Sequence, residues 1–396
     1  AEGKVKISNL KNLDIDDLLG RDKVEPRKNL MEKNIKSKVV LVTGAGGSIG
    51  GELCRKIISF KPTKIILVEL NEYALYSISN EIEESISKHS FLQNIEIISL
   101  IASIQDKTRM EEIFKEWKPS TVFHTAAYKH VDIVEKNIIE GVKNNVFGTL
   151  NTAFAAIKQN ADHYVFISTD KAVYPTNVMG ATKRLSEICL LSLFNRDELK
   201  PKTKLSMVRF GNVLDSSGSV IPKFRNQIRE GGPITLTHAE ITRYFMTIQE
   251  AAELVIQASA LAEGGDVFLL DMGNPIKIKD LATKMIDLSG LKVKNEKNLD
   301  GDIEIKITGL RPGEKLYEEL LLGDNPLPTI HPKIFKAQDP VLKWSLVKEK
   351  LKDLEVYTSN NDCLKVLKTL QEVVKEYTPS EKTLILIRKN NLNLIK

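Results

Sequence analysis

Lys38-Val39-Val40-Leu41-Val42-Thr43-Gly44-Ala45-Gly46-Gly47-Ser48-Ile49-Gly50 is the stretch that decides the architecture. Lys38–Val42 is a short apolar run suited to a central parallel strand. The glycines follow at once, and beyond them Leu53, Ile57 and Ile58 fall at helical spacing. Gly44, Gly47 and Gly50 are spaced G-x-x-G-x-x-G between that strand and that helix, with Ser48 and Ile49 inside the turn. Glycines let the backbone turn tightly and approach a pyrophosphate, whose charge the helix N-terminus favours. Lys64–Val68 then reads as a second strand, ending at Glu69. A carboxylate there suits the two ribose hydroxyls of NAD and repels a 2′-phosphate, so NAD is expected over NADP. Arg55 and Lys56 on the first helix are the residues that could serve a phosphate, though such pairs more often sit on a solvated face.

The alternation continues outward. Ile95–Leu100, Thr121–Ala126, Tyr164–Ser168 and Leu205–Phe210 read as strands. Thr108–Trp117, Glu140–Gln159 and Val178–Phe194 read as helices. Strand and helix in regular succession predict a Rossmann-type doubly wound parallel sheet. After Gly211 the regularity breaks, and punctuation at Gly218, Gly231-Gly232-Pro233 and Gly273-Asn274-Pro275 predicts a smaller mixed α/β lobe. The expected division is an arm over residues 1–36, a dinucleotide-binding domain over 37–210, and the lobe over 211–340, with a strand and a helix returning to the first domain. A helical segment and a loosely held tail follow over 341–396.

The next informative stretch is Ser168-Thr169-Asp170-Lys171-Ala172-Val173-Tyr174-Pro175-Thr176-Asn177-Val178-Met179-Gly180-Ala181-Thr182-Lys183. Ligands of open α/β sheets sit beyond the carboxyl ends of strands. A hydroxyl, a carboxylate and an amine in succession there suit proton transfer. Met179 and Lys183 are four apart and share a helical face. Blander readings stand beside these. Asp170-Lys171 fits a solvated turn pair, Thr169 a strand-end cap, Met179 a packing residue, and Lys183 a surface lysine.

Size and composition narrow the class. The 396 residues allow ample core, and 42% hydrophobic with 28% charged residues is ordinary for a globular protein. The net charge of +5 is spread without a basic block, so nucleic-acid binding is not expected. Cys54, Cys189 and Cys363 are too far apart for a metal-ligand or disulfide framework, and the six histidines are scattered, so no metal site is expected. No apolar run reaches the ~18 residues a spanning helix needs.

The motifs together resemble a known family. Thr43–Gly50, His124-Thr-Ala-Ala-Tyr-Lys-His130, Asn144-Asn-Val-Phe-Gly-Thr149, the Ser168–Lys183 stretch, Arg209-Phe-Gly-Asn-Val213 and Arg311-Pro-Gly-Glu-Lys315 fall in the order of extended short-chain dehydrogenases/reductases. The full set is similar to the long, membrane-attached type of bacterial UDP-N-acetylglucosamine 4,6-dehydratase, used in capsule, O-antigen and protein-glycan assembly. The usual Tyr-x-x-x-Lys reads Met179-x-x-x-Lys183, which matches the long type; the short, C5-inverting type keeps Tyr. The segment Asp16-Asp-Leu-Leu-Gly-Arg21 resembles the one just after the family's membrane helices. The resemblance therefore implies a cytoplasmic part of an enzyme held at the inner membrane, and a homodimer or higher homo-oligomer. The apolar faces of Glu140–Gln159 and Val178–Phe194 fit a four-helix dimer interface or the monomer core equally.

The resemblance implies an NAD-dependent lyase that oxidises C4, eliminates water across C5–C6, returns the hydride to C6 and retains configuration at C5. Thr169 is expected to bind O4, and Lys183 the nicotinamide ribose. Asp170 is expected to take the C4 proton and deliver it to the leaving C6 oxygen. Lys171 is expected to be the C5 base, which requires its pKa to be lowered by burial and nearby cations. Further NAD contacts fall at Ser103, Ile104, Ala126 and Ala127. Substrate contacts fall at Lys129, Met179, Asn212, Val220, Thr235, Arg243, Arg311 and Glu314, the arginines on the diphosphate. His124 is expected to pack under the nucleotide and His130 to cap a helix. Two other functions are open: a nucleotide-sugar 4-epimerase, and a dinucleotide-binding regulator without catalysis.

Overall fold

The structure is a computed structural model and describes residues 24–196, 200–296, 298–320, 326–381 and 383–385. Its frame is a sheet of nine strands. In chain order these are β1 (Val39–Thr43), β2 (Lys64–Glu69), β3 (Glu96–Ile101), β4 (Thr121–His124), β5 (His163–Ile167), β6 (Lys204–Arg209), β7 (Asp266–Leu270), β8 (Leu327–Pro328) and β9 (Ile334–Ala337). The spatial order is β8-β9-β7-β6-β5-β4-β1-β2-β3. All neighbours from β3 to β7 run parallel, and β9 joins β7 antiparallel. The order reverses between β1 and β4, which opens a crevice at the carboxyl ends of those strands. Leu41, Val42, Val122, Phe123, Val165 and Phe166 are fully buried, because helices cover both faces.

The helices that matter for the site are α1 (Lys28–Lys33), α2 (Ser48–Ser59), α3 (Glu72–Lys88), α4 (Lys107–Trp117), α5 (Gly148–Lys158), α6 (Val178–Phe194), α7 (Val220–Arg229), α8 (Ile248–Leu261), α9 (Trp344–Ser359) and α10 (Cys363–Val373). The bounds of α6 are those read from the sequence. The single helix expected over 140–159 is instead three pieces: Ile138–Val142, a wide π-type turn over Lys143–Phe147, and α5. Asn145 explains the turn. Its side-chain oxygen accepts from Tyr128 N at 2.8 Å, and its amide donates to Tyr128 O and Thr182 Oγ1, both at 3.0 Å. The chain widens to aim that side chain at the Tyr128 backbone and α6, and such turns are often found near functional sites.

The second half of the expected arm is part of the core. Leu30, Met31 and Ile35 are buried. Arg27 N donates to Gln257, Lys33 Nζ to Ala260 O and Asn34 Nδ2 to Ser259 O, binding α1 to α8. Asp16–Arg21 lies outside the described residues. The smaller lobe packs Phe224 and Ile228 of α7, Ile234 and Leu236 of a strand, Ile286 of helix Ile278–Leu288, and Ile303 into a core of its own.

Beyond residue 341, α9 and α10 lay Val347, Leu351, Leu354, Val366, Leu367 and Leu370 against Val142, Met179, Leu185 and Ile188. Every residue of α6 from Val178 to Leu193 is buried. The apolar face of α6 is thus covered by α9 and α10. Among the described residues no helix is long and apolar enough to cross a membrane.

Candidate active site

The glycine turn builds a cradle at the crevice. Gly44 has φ 67°, and a Cβ on it would lie 2.8 Å from Ala126 N. A Cβ on Gly50 would lie 2.0 Å from Gly44 O. Neither position admits a side chain, so the backbone comes close enough for a pyrophosphate to meet the start of α2, which Gly47 caps. Glu69 fixes this loop. One carboxylate oxygen accepts from Gly46 N at 3.1 Å, the other from Leu70 N and Asn71 N at 2.9 and 3.0 Å. Arg55 pairs with Glu52 and Glu81, and Lys56 with Glu253, so neither cation faces the cradle.

A cavity of about 1310 Å³ runs from this loop to the smaller lobe. Gly44, Gly47, Ser48, Ile49, Gly50, Glu69, Ser103, Ile104, Ala126 and Ala127 line its first half. Thr169, Lys171, Met179 and Lys183 line the middle. Lys129, Asn212, Val220, Thr235, Arg243, Arg311 and Glu314 line the far half. The expected residues are therefore brought together, with one difference. Asp170 is 1% exposed and lies beneath the wall, not on it.

The middle is held by short contacts. Thr169 Oγ1 donates to Asp170 Oδ1 at 2.9 Å and accepts from Lys171 N at 3.3 Å, so the threonine does cap the turn. Lys171 Nζ donates to Asp170 Oδ1 and to Asn212 Oδ1, each at 3.0 Å, and lies 3.6 Å from Glu318. Asp170 Oδ2 is buried without a partner. The expected lowering of Lys171 does not occur. Burial, the largest influence, pushes its ammonium down and Arg243 adds to this, but Asp170 and Glu318 together raise it above its ordinary value. Lys171 is an ammonium in this site, held by two carboxylates.

Lys183 behaves in the opposite way. It is buried, donates to Ile167 O and lies 3.8 Å from the Phe166 ring centre. Burial pushes it down to about 7, with Glu187 opposing. Its helix starts under firm control. Asn177 Oδ1 accepts from Gly180 N at 2.8 Å, and Glu135 accepts from Val178 N at 2.6 Å. The second Glu135 oxygen accepts from Thr383 Oγ1 at 2.6 Å.

In the far half, Arg243 is 8% exposed and donates to Thr242 O at 2.7 Å and Lys315 O at 2.8 Å. Arg311 is exposed, and its backbone N donates to Glu314. Glu314 also accepts from Thr237 Oγ1 at 3.1 Å. Leu236 and Thr237 face the cavity with Val220 and Thr235, whereas Ile221 turns into the lobe core. His124 is buried between Thr43 and Thr149 and stacks on Tyr164 and Phe166. Burial lowers it to about 3, so it stays neutral. His130 stands at the cap position of a short helix, but its side chain makes no cap bond and packs on Gly218. Among the described residues no group of His, Cys, Asp or Glu could hold a metal ion.

Three residues of the site carried no sequence signal. Lys223 lines the cavity one turn after Val220, and looks like any lysine of an amphipathic helix. Glu318 binds both Lys171 and Arg243 from a position with no motif of its own. Glu135 acts on α6 from 43 residues away.

The model of the polysaccharide biosynthesis protein family matches residues 40–339. The chain belongs to that family. A relative in it, the capsular polysaccharide biosynthesis protein CapD of Staphylococcus aureus, is 50% identical over 337 residues, 85% of this chain and 54% of CapD. The chain thus spans about half the length of that relative. The X-ray structure of Pen from Bacillus thuringiensis is 35% identical with a TM-score of 0.68, covering 78% of this chain and 92% of Pen. More distant matches divide by reaction. A UDP-glucose 4-epimerase of Rickettsia canadensis is 32% identical over 73% of this chain and 79% of its own. A UDP-N-acetylglucosamine 4,6-dehydratase (inverting) of Campylobacter jejuni is 28% identical over 78% of this chain and 84% of its own. The fold is that of the extended short-chain dehydrogenases/reductases.

Proposed function

We propose that the chain is the catalytic part of a C5-retaining UDP-N-acetylglucosamine 4,6-dehydratase that uses NAD. The observation that carries this reading is the Asp170–Lys171 pair, with Nζ 3.0 Å from Oδ1, Lys171 lining the middle of the cavity beside Thr169 and Asp170 directly beneath it. The glycine cradle and Glu69 fit NAD, which when bound supplies a hydride acceptor at C4 and a donor at C6. Arg243, Arg311 and Lys223 supply cationic charge for the UDP diphosphate.

The residues then act in a definite order. Thr169 orients the C4 hydroxyl and passes its proton to Asp170, 2.9 Å away, because Asp170 itself lies beneath the wall. Neutralising Asp170 removes one of the two anions that hold Lys171 charged. Lys171 gives its proton to the C6 oxygen, which leaves as water, and the freed amine takes the proton from C5. Once C6 is reduced, Lys171 delivers one of its solvent-exchanged ammonium protons to C5 on the same face. Asp170 then re-protonates Lys171 across their 3.0 Å contact. The C4 proton has replaced the one lost with water, and the pair is reset. Lys171 removes a proton from C5 and delivers one there on a single face, which gives retention.

In this order Lys171 starts as an acid and not, as expected, as a base, because its ammonium is held above its ordinary value. A 4-epimerase needs neither an acid at C6 nor a base at C5, and the pair would then have no task. Incubation with UDP-N-acetylglucosamine and NAD should give a product lighter by one water, carrying deuterium at C5 when made in D2O. Asp170→Asn or Lys171→Ala should lower turnover by at least ~10²-fold, the usual worth of one acid–base group. A product of unchanged mass would establish the epimerase. Unchanged substrate would leave a dinucleotide-binding regulator.

A further inference from the structure

At the sheet edge opposite the cavity, β6, β5, β4 and β1 begin side by side, with Lys204, His163 and Thr121 in register. A hollow of about 220 Å³ opens there. Its wall takes Lys33 from the end of α1, Lys38 ahead of β1, Asp162 and His163 at the start of β5, and Lys202 and Lys204 at the start of β6. These come from four separate parts of the chain, so the gathering of charge is a product of the fold.

The charges do not cancel. Lys38 pairs with Asp162 at 3.3 Å, and Lys33 donates to a backbone carbonyl, Ala260 O. Lys202 and Lys204 have no acidic partner among the described residues. Among the described residues, four ammonium groups against one carboxylate leave a net +3 around the hollow (4 − 1 = 3). His163 faces the same space, and its Nδ1 is buried with no hydrogen-bond partner. Burial first, then Lys204, with smaller shares from Lys33 and Lys38 and against Asp162, hold its imidazole down at about 4. A buried ring nitrogen without a partner, ringed by like charges, is an arrangement that an anion would relieve.

We infer that this hollow binds a phosphate group. Lysine side chains lining one hollow from separate elements suit a tetrahedral anion with several acceptor oxygens. At ~30 Å³ per water the space equals about seven waters, enough for a phosphate and its remaining shell but too small for a sugar nucleotide. The phosphate belongs either to a free ion or to a lipid headgroup. Because Lys33 ends α1, a bound anion ties that helix to the sheet.

The test is a histidine-labelled NMR titration of the full chain with the large cavity saturated by UDP. Inorganic phosphate is one arm, and vesicles of phosphatidylcholine containing phosphatidic acid are the other. Phosphate should move the His163 titration up by about two pH units, while chloride at equal ionic strength does not. A response to inorganic phosphate assigns the free ion. A response to the acidic vesicles alone assigns the lipid phosphate. The double substitution Lys202→Gln and Lys204→Gln should weaken binding by ~10-fold or more in calorimetry, with melting temperature unchanged in the absence of phosphate. The inference is overturned if neither arm moves His163, if chloride moves it equally, or if the double variant binds as tightly as the parent.

Discussion

Replacing Lys183 by Met should change how the stability of the cofactor-free protein depends on pH. Lys183 is 5% exposed, and burial lowers its ammonium from 10.5 to about 7. The unfolded chain keeps that proton up to about pH 10.5, while the folded chain releases it near 7. The unfolded state therefore binds more protons across this window, and stability rises with pH through it. Below pH 7 both states hold the proton, and the group costs the fold about 5 kcal/mol (about 3.5 pH units at 1.36 kcal/mol each). At pH 7.5 the cost is about 4 kcal/mol, and by pH 9.5 it has fallen to about 1.5 kcal/mol. Met keeps a stem of similar length but has nothing to titrate. Urea unfolding of both proteins should show the variant's relative stability dropping by ~2–3 kcal/mol between pH 7.5 and 9.5. Parallel curves for the two proteins would refute the buried, near-neutral amine.

Other outcomes follow from separate parts of the site. Gly50→Ala places a Cβ 2.0 Å from Gly44 O, so calorimetry should show NAD affinity falling at least ~10²-fold with UDP affinity retained. Glu135→Leu removes the acceptor of Val178 N and should cost ~1–3 kcal/mol in urea unfolding, because that donor is left buried. Arg311→Ala should weaken binding of UDP-N-acetylglucosamine far more than binding of NAD. Equal losses would place Arg311 outside the diphosphate site.

The sheet was legible because its signals are local. Val39–Thr43 with Gly44, Gly47 and Gly50 encode strand, turn and helix within a dozen residues. The bounds of α6 were equally plain, since Asn177 caps it and Phe194 ends its apolar run. The charge state of Lys171 was not legible. Asp170 is its sequence neighbour, but Glu318, which helps hold it charged, comes from a segment distant in sequence, beyond most of the smaller lobe. Burial and the nearby Arg243 do push the ammonium down, as expected, but the second carboxylate that outweighs them has no local signal. The break at Lys143–Phe147 was hidden for a similar reason, because its cause is a bond between Asn145 and Tyr128 of another segment.

The bond from Thr383 to Glu135 joins positions 248 apart, and α9 and α10 clothe α6 from the same end of the chain. A ribosome delivers these parts in the wrong order for early closure. At ~5–20 residues per second, α6 waits on the order of ten seconds to a minute before its cover is made. Through that interval a nascent chain shows bare leucine and isoleucine to solvent, so yield in the cell depends on holding it apart from its neighbours until α9 and α10 arrive.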